Sequence, residues 1–255
     1  MPTGVKRGRP DFVKAESPDL TKPPWPFKLP YQLVGMPAIT TPQQADPPTK
    51  VKLLEAAQKL MLKKGFTATT VDEICADANL TKGSFFHYFR TKEHLGQQVL
   101  GHYWSSTQAR VQSAPFVEIE DPLARLHGYL DLFVALAREP RIEKSCLFGN
   151  FAQEIAATHP RLRKTCAQGF ARWRDQIASE LEATKKVHRP SVDFDSGSVA
   201  DHFIAIYEGS LILAKARNDP RAIERGVEHF RRYLDLLFGR GEAKRTHGRK
   251  EKSAS

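Results

Sequence analysis

The chain has 255 residues, a formal net charge of +10, 27% charged residues and three cysteines. That length can bury one large core or two modest ones, and no run of about 18 or more apolar residues is present to cross a membrane. Cys75, Cys146 and Cys166 lie far apart without a C-x-x-C pair, which argues against a zinc ribbon or a disulfide scaffold.

The N-terminus is rich in proline and lacks the charged-then-apolar order of a secretory signal, so a cytoplasmic protein is expected. Net charge divides as +2 over residues 1–48, +3 over 49–104, +1 over 105–238 and +4 over 239–255. A basic minority on a near-neutral body fits a polyanionic partner, and equally a solvated surface with no partner.

Residues 1–48 carry Lys22-Pro23-Pro24-Trp25-Pro26 and Asp46-Pro47-Pro48, a proline density that denies helix and sheet. A disordered extension is expected there. Within it, Arg7-Gly8-Arg9-Pro10 is similar to the core of an AT-hook, whose extended Arg-Gly-Arg suits a narrow minor groove; a basic piece of disordered tail reads the same way.

From Thr49, Val51, Leu54, Ala57, Leu60 and Met61 recur at helical spacing with Lys52, Lys59, Lys63 and Lys64 opposite, which predicts a helix from Thr49 to Lys64 ended by Gly65. Thr70 followed by Glu73 is a capping box. It opens a short helix with Val71, Ile74, Cys75 and Ala78 on one face, ended at Asn79, a residue that enters the left-handed region cheaply. Leu80 fills the gap between helices, Thr81 caps the next, and a second short helix runs Lys82–Tyr88. Two short helices joined by so tight a turn make a helix-turn-helix over Thr70–Phe89. Phe85 and Phe89, four residues apart, anchor the second helix, while Thr81, Lys82, Ser84, His87 and Tyr88 are left to reach phosphates or base edges.

The ordered run from Gly65-Phe66 through Thr70-Val71, Ile74-Cys75 and Ala78-Asn79-Leu80-Thr81-Lys82-Gly83-Ser84-Phe85-Phe86-His87-Tyr88-Phe89 to Lys92-Glu93 and Leu95 resembles the N-terminal domain of TetR/AcrR-type transcriptional regulators. The resemblance implies an all-α homodimer in which a three-helix helix-turn-helix domain binds a palindromic double-stranded DNA operator. A C-terminal helical domain would then bind a small-molecule effector and dimerise. It also implies roles: Thr70 caps its helix against a phosphate. Thr81, Lys82 and Ser84, with Gly83 among them, meet bases or phosphates at the start of the recognition helix. His87 and Tyr88 reach base or backbone, and Lys92 binds a phosphate. Two positions depart from the family pattern. Phe86 replaces a usual tyrosine and offers a thymine methyl an apolar contact in place of a hydroxyl, and Asn79 replaces a usual glycine.

Beyond the motif, a fourth helix is expected over Lys92–Gln112. Pro115, Pro122, Pro140, Pro160, Pro190 and Pro220 then punctuate helices near 122–138, 141–157, 160–184, 195–217 and 220–238. The domains expected are a disordered extension at 1–48, the DNA-binding domain at 49–95, the regulatory and dimerisation domain at 96–239 and a basic disordered tail at 240–255. Val199, Phe203, Ile206, Leu211 and Leu213 stripe the penultimate helix, and Ile223, Val227, Phe230, Tyr233, Leu234, Leu237 and Phe238 stripe the last. Two such helices per subunit suit a four-helix bundle, though the stripes also suit a monomer's own core.

Candidate effector contacts in the middle helices are Trp104, Phe133, Phe151, Phe170 and Trp173, residues that a plain core also uses. Cys146 opens a helix near Arg141 and Lys144, a setting that lowers a thiol pKa and favours reaction with electrophiles. The run Cys146-Leu147-Phe148-Gly149-Asn150-Phe151-Ala152-Gln153-Glu154-Ile155 is similar to a subgroup of the family that includes sensors of reactive electrophiles; a lone cysteine is otherwise a small buried hydrophobe. No G-x-S-x-G, H-E-x-x-H, G-x-x-x-x-G-K-[ST] or G-x-G-x-x-G occurs, and no enzyme, metal or cofactor is expected. The alternatives are a constitutive or architectural DNA-binding protein and a helical enzyme or scaffold with a vestigial helix-turn-helix.

Overall fold

A computed structural model describes residues 46–139 and 145–240 of the chain. The extension with Arg7-Gly8-Arg9-Pro10, the residues Arg141 and Lys144, and all but the first residue of the basic tail lie outside the described residues. Among the described residues every regular element is a helix. They are α1 (Pro48–Lys64), α2 (Val71–Asp77), α3 (Lys82–Tyr88) and α4 (Lys92–Gln112), a 3-10 turn at Pro115–Glu118, then α5 (Pro122–Arg138), α6 (Leu147–Ile155), α7 (Pro160–Val187), α8 (Ser196–Arg217) and α9 (Arg221–Leu237). No described helix is long and apolar enough to cross a membrane.

The head is built from α1, α2, α3 and the start of α4. Leu53, Leu54, Ala57 and Met61 of α1 are buried with Ile74 of α2, Phe85 of α3 and Leu95 of α4. Each short helix is pinned by its cap. Thr70 Oγ1 accepts the Glu73 N–H at 3.2 Å, while the Thr70 N–H donates back to Glu73 Oε2 at 2.9 Å. Asn79 takes φ +53°, and the Leu80 N–H then reaches the Cys75 carbonyl at 2.8 Å, turning the chain into α3. Thr81 repeats the cap on the Ser84 N–H at 3.2 Å.

Removing the first cap with Thr70→Ala is expected to lower stability by about 1 kcal/mol in urea denaturation. The same cap carries a pH dependence. Lys64, 2.5 Å from the Glu73 carboxylate, and then the Thr70 backbone and hydroxyl hold Glu73 down from 4.5 to about 2. A depressed carboxylate stabilises fully above its ordinary value and loses that contribution as pH falls through its folded one. The loss therefore spans the window from 4.5 down to about 2, and an NMR titration of Glu73 in Lys64→Ala is expected to move its midpoint back toward the ordinary value.

In the body, α8 and α9 pack along their length, and α5 and α7 flank them. Phe203, Phe230, Val227 and Leu234 are fully or almost fully buried between these helices. Asp195 caps α8 by accepting the Ser198 N–H at 2.6 Å, and Asn218 closes it with φ +49°. Two apolar residues of α8, Ile212 and Leu213, and Leu236 of α9 stay exposed at 47%, 43% and 60%. Leu213 therefore does not join the buried stripe in which its spacing placed it. The expected helix at 141–157 is corrected: Ser145, Cys146, Ala156 and Ala157 are not helical and α6 spans only Leu147–Ile155, while α7 runs to Val187, past the expected end at 184.

The turn between α1 and α2 is where head and body meet. Glu154 of α6 accepts the Phe66 N–H on one carboxylate oxygen and the Thr67 N–H on the other, each at 2.7 Å. Burial pushes that carboxyl up, but the Thr67 hydroxyl, the two amides and Lys92 outweigh it and leave its pKa below the usual range. Gly65, at φ +88°, makes the approach possible, since a Cβ there would lie 2.6 Å from Glu154 Oε2. Phe66 wedges its ring against Phe151 of α6 and His159, with centroids 5.3 and 5.4 Å away.

Candidate DNA interface and regulatory cleft

Phe85 and Phe89 are fully buried with ring centroids 5.5 Å apart, which fixes both the depth and the rotation of α3. The residues between them are thereby turned outward. Phe86 is 57% exposed, an unusual state for so large an apolar ring, and Lys82, Gly83 and His87 are exposed with it. The rings of His87 and Tyr88 meet edge to face at 4.6 Å. Tyr88 is half-buried and leans on the core beside Phe89. Lys82 pairs with Asp72 at 2.8 Å, but both side chains are largely exposed, so the pair is weak and a phosphate can displace the carboxylate at little cost. Ser84 is occupied locally, its hydroxyl 3.1 Å from that of Thr81. Thr81, Lys82, Gly83, Phe86 and His87 are thus exposed along the length of α3, with Ser84 half-buried among them.

Thr70 and Lys92 are placed differently. Thr70 is exposed, yet both its N–H and its hydroxyl already engage Glu73. Lys92 turns toward protein, donating to the Thr67 carbonyl at 3.1 Å with its ammonium 4.5 Å from the Phe66 ring centroid. Desolvation outweighs the pull of Glu154 and lowers its pKa.

The aromatic residues expected to touch an effector mostly touch each other. Phe133 stacks on Trp173 at 5.9 Å and meets Phe203 and Tyr207 edge-on at 5.4 and 4.6 Å. Trp173 Nε1 donates to the Tyr129 hydroxyl at 2.6 Å, and burial lifts the Tyr129 and Tyr207 hydroxyls far above their ordinary pKa. Phe151 is fully buried against Phe66. Trp104 and Phe170 lie half-buried around Phe148, at 6.3 and 6.2 Å.

Cys146 does line a cavity. A cleft of about 310 Å³ opens between the start of α6 and the outer half of α8, walled by Cys146, Asn150, Glu208, Leu211 and Lys215 among others. Asn150, Gln153 and Lys215 also line a neighbouring recess of about 390 Å³ that reaches Lys63, Lys64 and Gly65 of the head. Lys215 Nζ donates to Ser145 Oγ at 2.8 Å and to Asn150 Oδ1 at 3.2 Å.

The acidity expected of the Cys146 thiol is corrected by its surroundings. Burial first, and then the negative charge of Glu208, push the thiol well above its ordinary pKa. The Gly149 and Phe148 amides at the start of α6 do oppose that rise, as a helix N-terminus should, but they lose to it. Cys75 and Cys166 are buried as well, and burial pushes Cys166 up to about 11.

Sequence reasoning missed Glu154, Glu208 and Lys215. Gly65 and the interior helical Gly149 were the signals for the two carboxylates, since a Cβ at either position would clash with Glu154 Oε2 or Glu208 Oε2 respectively.

Residues 53–99 match the model of the bacterial regulatory proteins of the tetR family, and residues 122–230 match a tetracyclin repressor-like C-terminal domain. The chain is 36% identical over 186 residues to the HTH-type transcriptional repressor NemR of Escherichia coli K12, covering 73% of this chain and 94% of that protein. It is 28% identical over 194 residues to the HTH-type transcriptional repressor DhaR of Mycobacterium sp. GP1, covering 75% and 91%. Among solved structures, a TetR regulatory protein from Rhodobacter sphaeroides superposes with a TM-score of 0.64 at 26% identity, covering 72% of this chain and 98% of that one. A TetR regulator from Chloroflexus aurantiacus, 22% identical, shares the fold with a TM-score of 0.67 over 74% of this chain and 95% of its own. The chain belongs to the TetR family and is a non-enzymatic, DNA-binding regulator of transcription, of a kind that binds operators as a dimer.

Proposed function

We propose that the protein is a cytoplasmic repressor that holds a palindromic operator as a homodimer and lets go when a small-molecule effector enters the α6–α8 cleft. The head at 49–95 reads DNA, and the body at 96–239 dimerises and senses. The observation that carries the reading is the outer face of α3, where Phe86 is 57% exposed between two fully buried anchors, Phe85 and Phe89. A ring left in water beside Lys82 and His87 suits a thymine methyl flanked by phosphates. NemR and DhaR, both named repressors, support the direction of regulation. Ile212 and Leu213 toward the end of α8, and Leu236 at the end of α9, are exposed apolar residues that a partner's same helices would cover. Thr70 and Lys92 support the interface from the rear, Lys92 by first leaving the Thr67 carbonyl.

The effector is proposed to be an electrophile that meets Cys146, the cysteine that lines the cleft. Trp104, Phe133, Phe151, Phe170 and Trp173 then serve as packing around the site.

The test is selection of DNA by the full chain from a random pool, followed by footprinting. Two inverted half-sites with centres about one helical turn or a small multiple apart are expected, with affinity falling steeply as salt rises. A pool without inverted symmetry would overturn the dimeric-operator reading. The constitutive alternative predicts the same pool and no release by any thiol-directed reagent.

A further inference from the structure

We propose that Glu208 is the base that takes the proton of Cys146 when an uncharged carbon electrophile enters the cleft. The inference rests on the reading of Cys146 as the effector-responsive thiol. Glu208 stands on α8 and reaches across to the first turn of α6, where its Oε2 occupies the space that any side chain at 149 would fill. The thiol and this carboxylate line the same cleft. The thiol is the hydrogen-bond partner of this carboxylate, so each shifts the proton affinity of the other. A neutral buried thiol, for its part, is a poor nucleophile until something accepts its proton.

Among the described residues, the titratable groups around the pair are Tyr103 on α4 and Tyr207 and Lys215 on α8 itself. Both phenols are held neutral by burial, and an ammonium is no base, so among the described residues Glu208 is the acceptor that remains. Burial raises Glu208 as well, against the opposing influence of Cys146 and Lys215, which brings its proton affinity closer to that of the thiol. The cleft wall carries one carboxylate and one ammonium, and so favours neither sign of ligand.

With iodoacetamide as the probe, the sulfur attacks the methylene carbon. The S–C bond forms, the C–I bond breaks, iodide leaves with the electron pair, and the thiol proton passes to Glu208. In addition to an unsaturated carbonyl, the sulfur bonds to the β-carbon, the π pair moves toward the carbonyl, and the α-carbon recovers the proton from Glu208.

The experiment follows alkylation of Cys146 in the full-length protein by site-resolved mass spectrometry across the pH range, with Cys75 and Cys166 as internal references. Glu208→Gln is expected to slow Cys146 about a hundred-fold near neutrality and to move the rising limb of the rate up to the thiol's own ionisation. Its thermal midpoint should stay at or above that of the unaltered protein, since an amide suits a dry site better than a carboxylate. Glu208→Asp, which keeps the base but withdraws it, is expected to fall between and serves if the amide variant fails to fold. Equal rates and one shared pH profile in all three proteins would overturn the role of Glu208 while leaving the thiol reading intact. A Cys146 that stays unmodified in the folded protein and reacts after denaturation would overturn both.

Discussion

Replacing His87 and Tyr88 together by alanine is expected to weaken operator binding by a factor on the order of 10² to 10³, at about 1–3 kcal/mol for each side chain's interaction with the duplex. Far-UV circular dichroism and dimer mass should not change, because neither residue is part of the buried anchor formed by Phe85 and Phe89. Tyr88 does lean on the core, so Tyr88→Phe, which keeps the ring and drops the hydroxyl, separates packing from recognition. The weakening should concentrate on particular base positions. Lys82→Ala, in contrast, should weaken all sequences alike and reduce the salt slope by about one ion. Fluorescence anisotropy with the selected operator and its point variants measures both effects. A double variant that binds as the parent does would mean that α3 is not the reading element.

The largest loss of stability is expected from Phe203→Ala. Phe203 is fully buried, and its ring lies within 6.1 Å, centroid to centroid, of those of Tyr129, Phe133, Trp173, Tyr207 and Phe230. Truncating such a ring removes its transfer free energy and leaves a void that stacked neighbours cannot close, a loss of about 3–5 kcal/mol. Chemical denaturation followed by tryptophan fluorescence reads it directly, since Trp173 sits in the same cluster. A loss below about 1 kcal/mol would indicate that the cluster already holds a gap of its own, and Phe133 and Trp173 would again be candidates to line an effector pocket.

The head was legible in the sequence because its signals are local. A capping threonine three residues before a glutamate, an asparagine where the chain turns, and phenylalanines four apart each act within one or two helical turns, and the helices begin and end at or within a residue of where these signals place them. The starts of α5, α7 and α9 were legible from Pro122, Pro160 and Pro220 for the same reason, whereas α6 begins at Leu147 and not directly after Pro140. What was not legible depends on partners distant in sequence. The stripe of α8 could not tell Leu211, which is buried, from Leu213, which faces out, because that choice is made by α7 and α9. The aromatic residues of the middle helices have the same spacing whether they line a hole or fill it. The Cys146 thiol shows this most clearly. Its place at a helix start was read correctly, and its acidity was reversed by burial and by a carboxylate 62 positions further along the chain.

The hold of Glu154 on the turn after α1 has a practical consequence for grafting. A reading head cut at the middle of α4 and joined to a foreign body would leave two amides without their acceptor and one edge of Phe66 in water. Chimaeras should therefore keep α6 and the first turn of α7 together with the head, and a graft that carries these along should retain its sequence preference where a shorter one loses it.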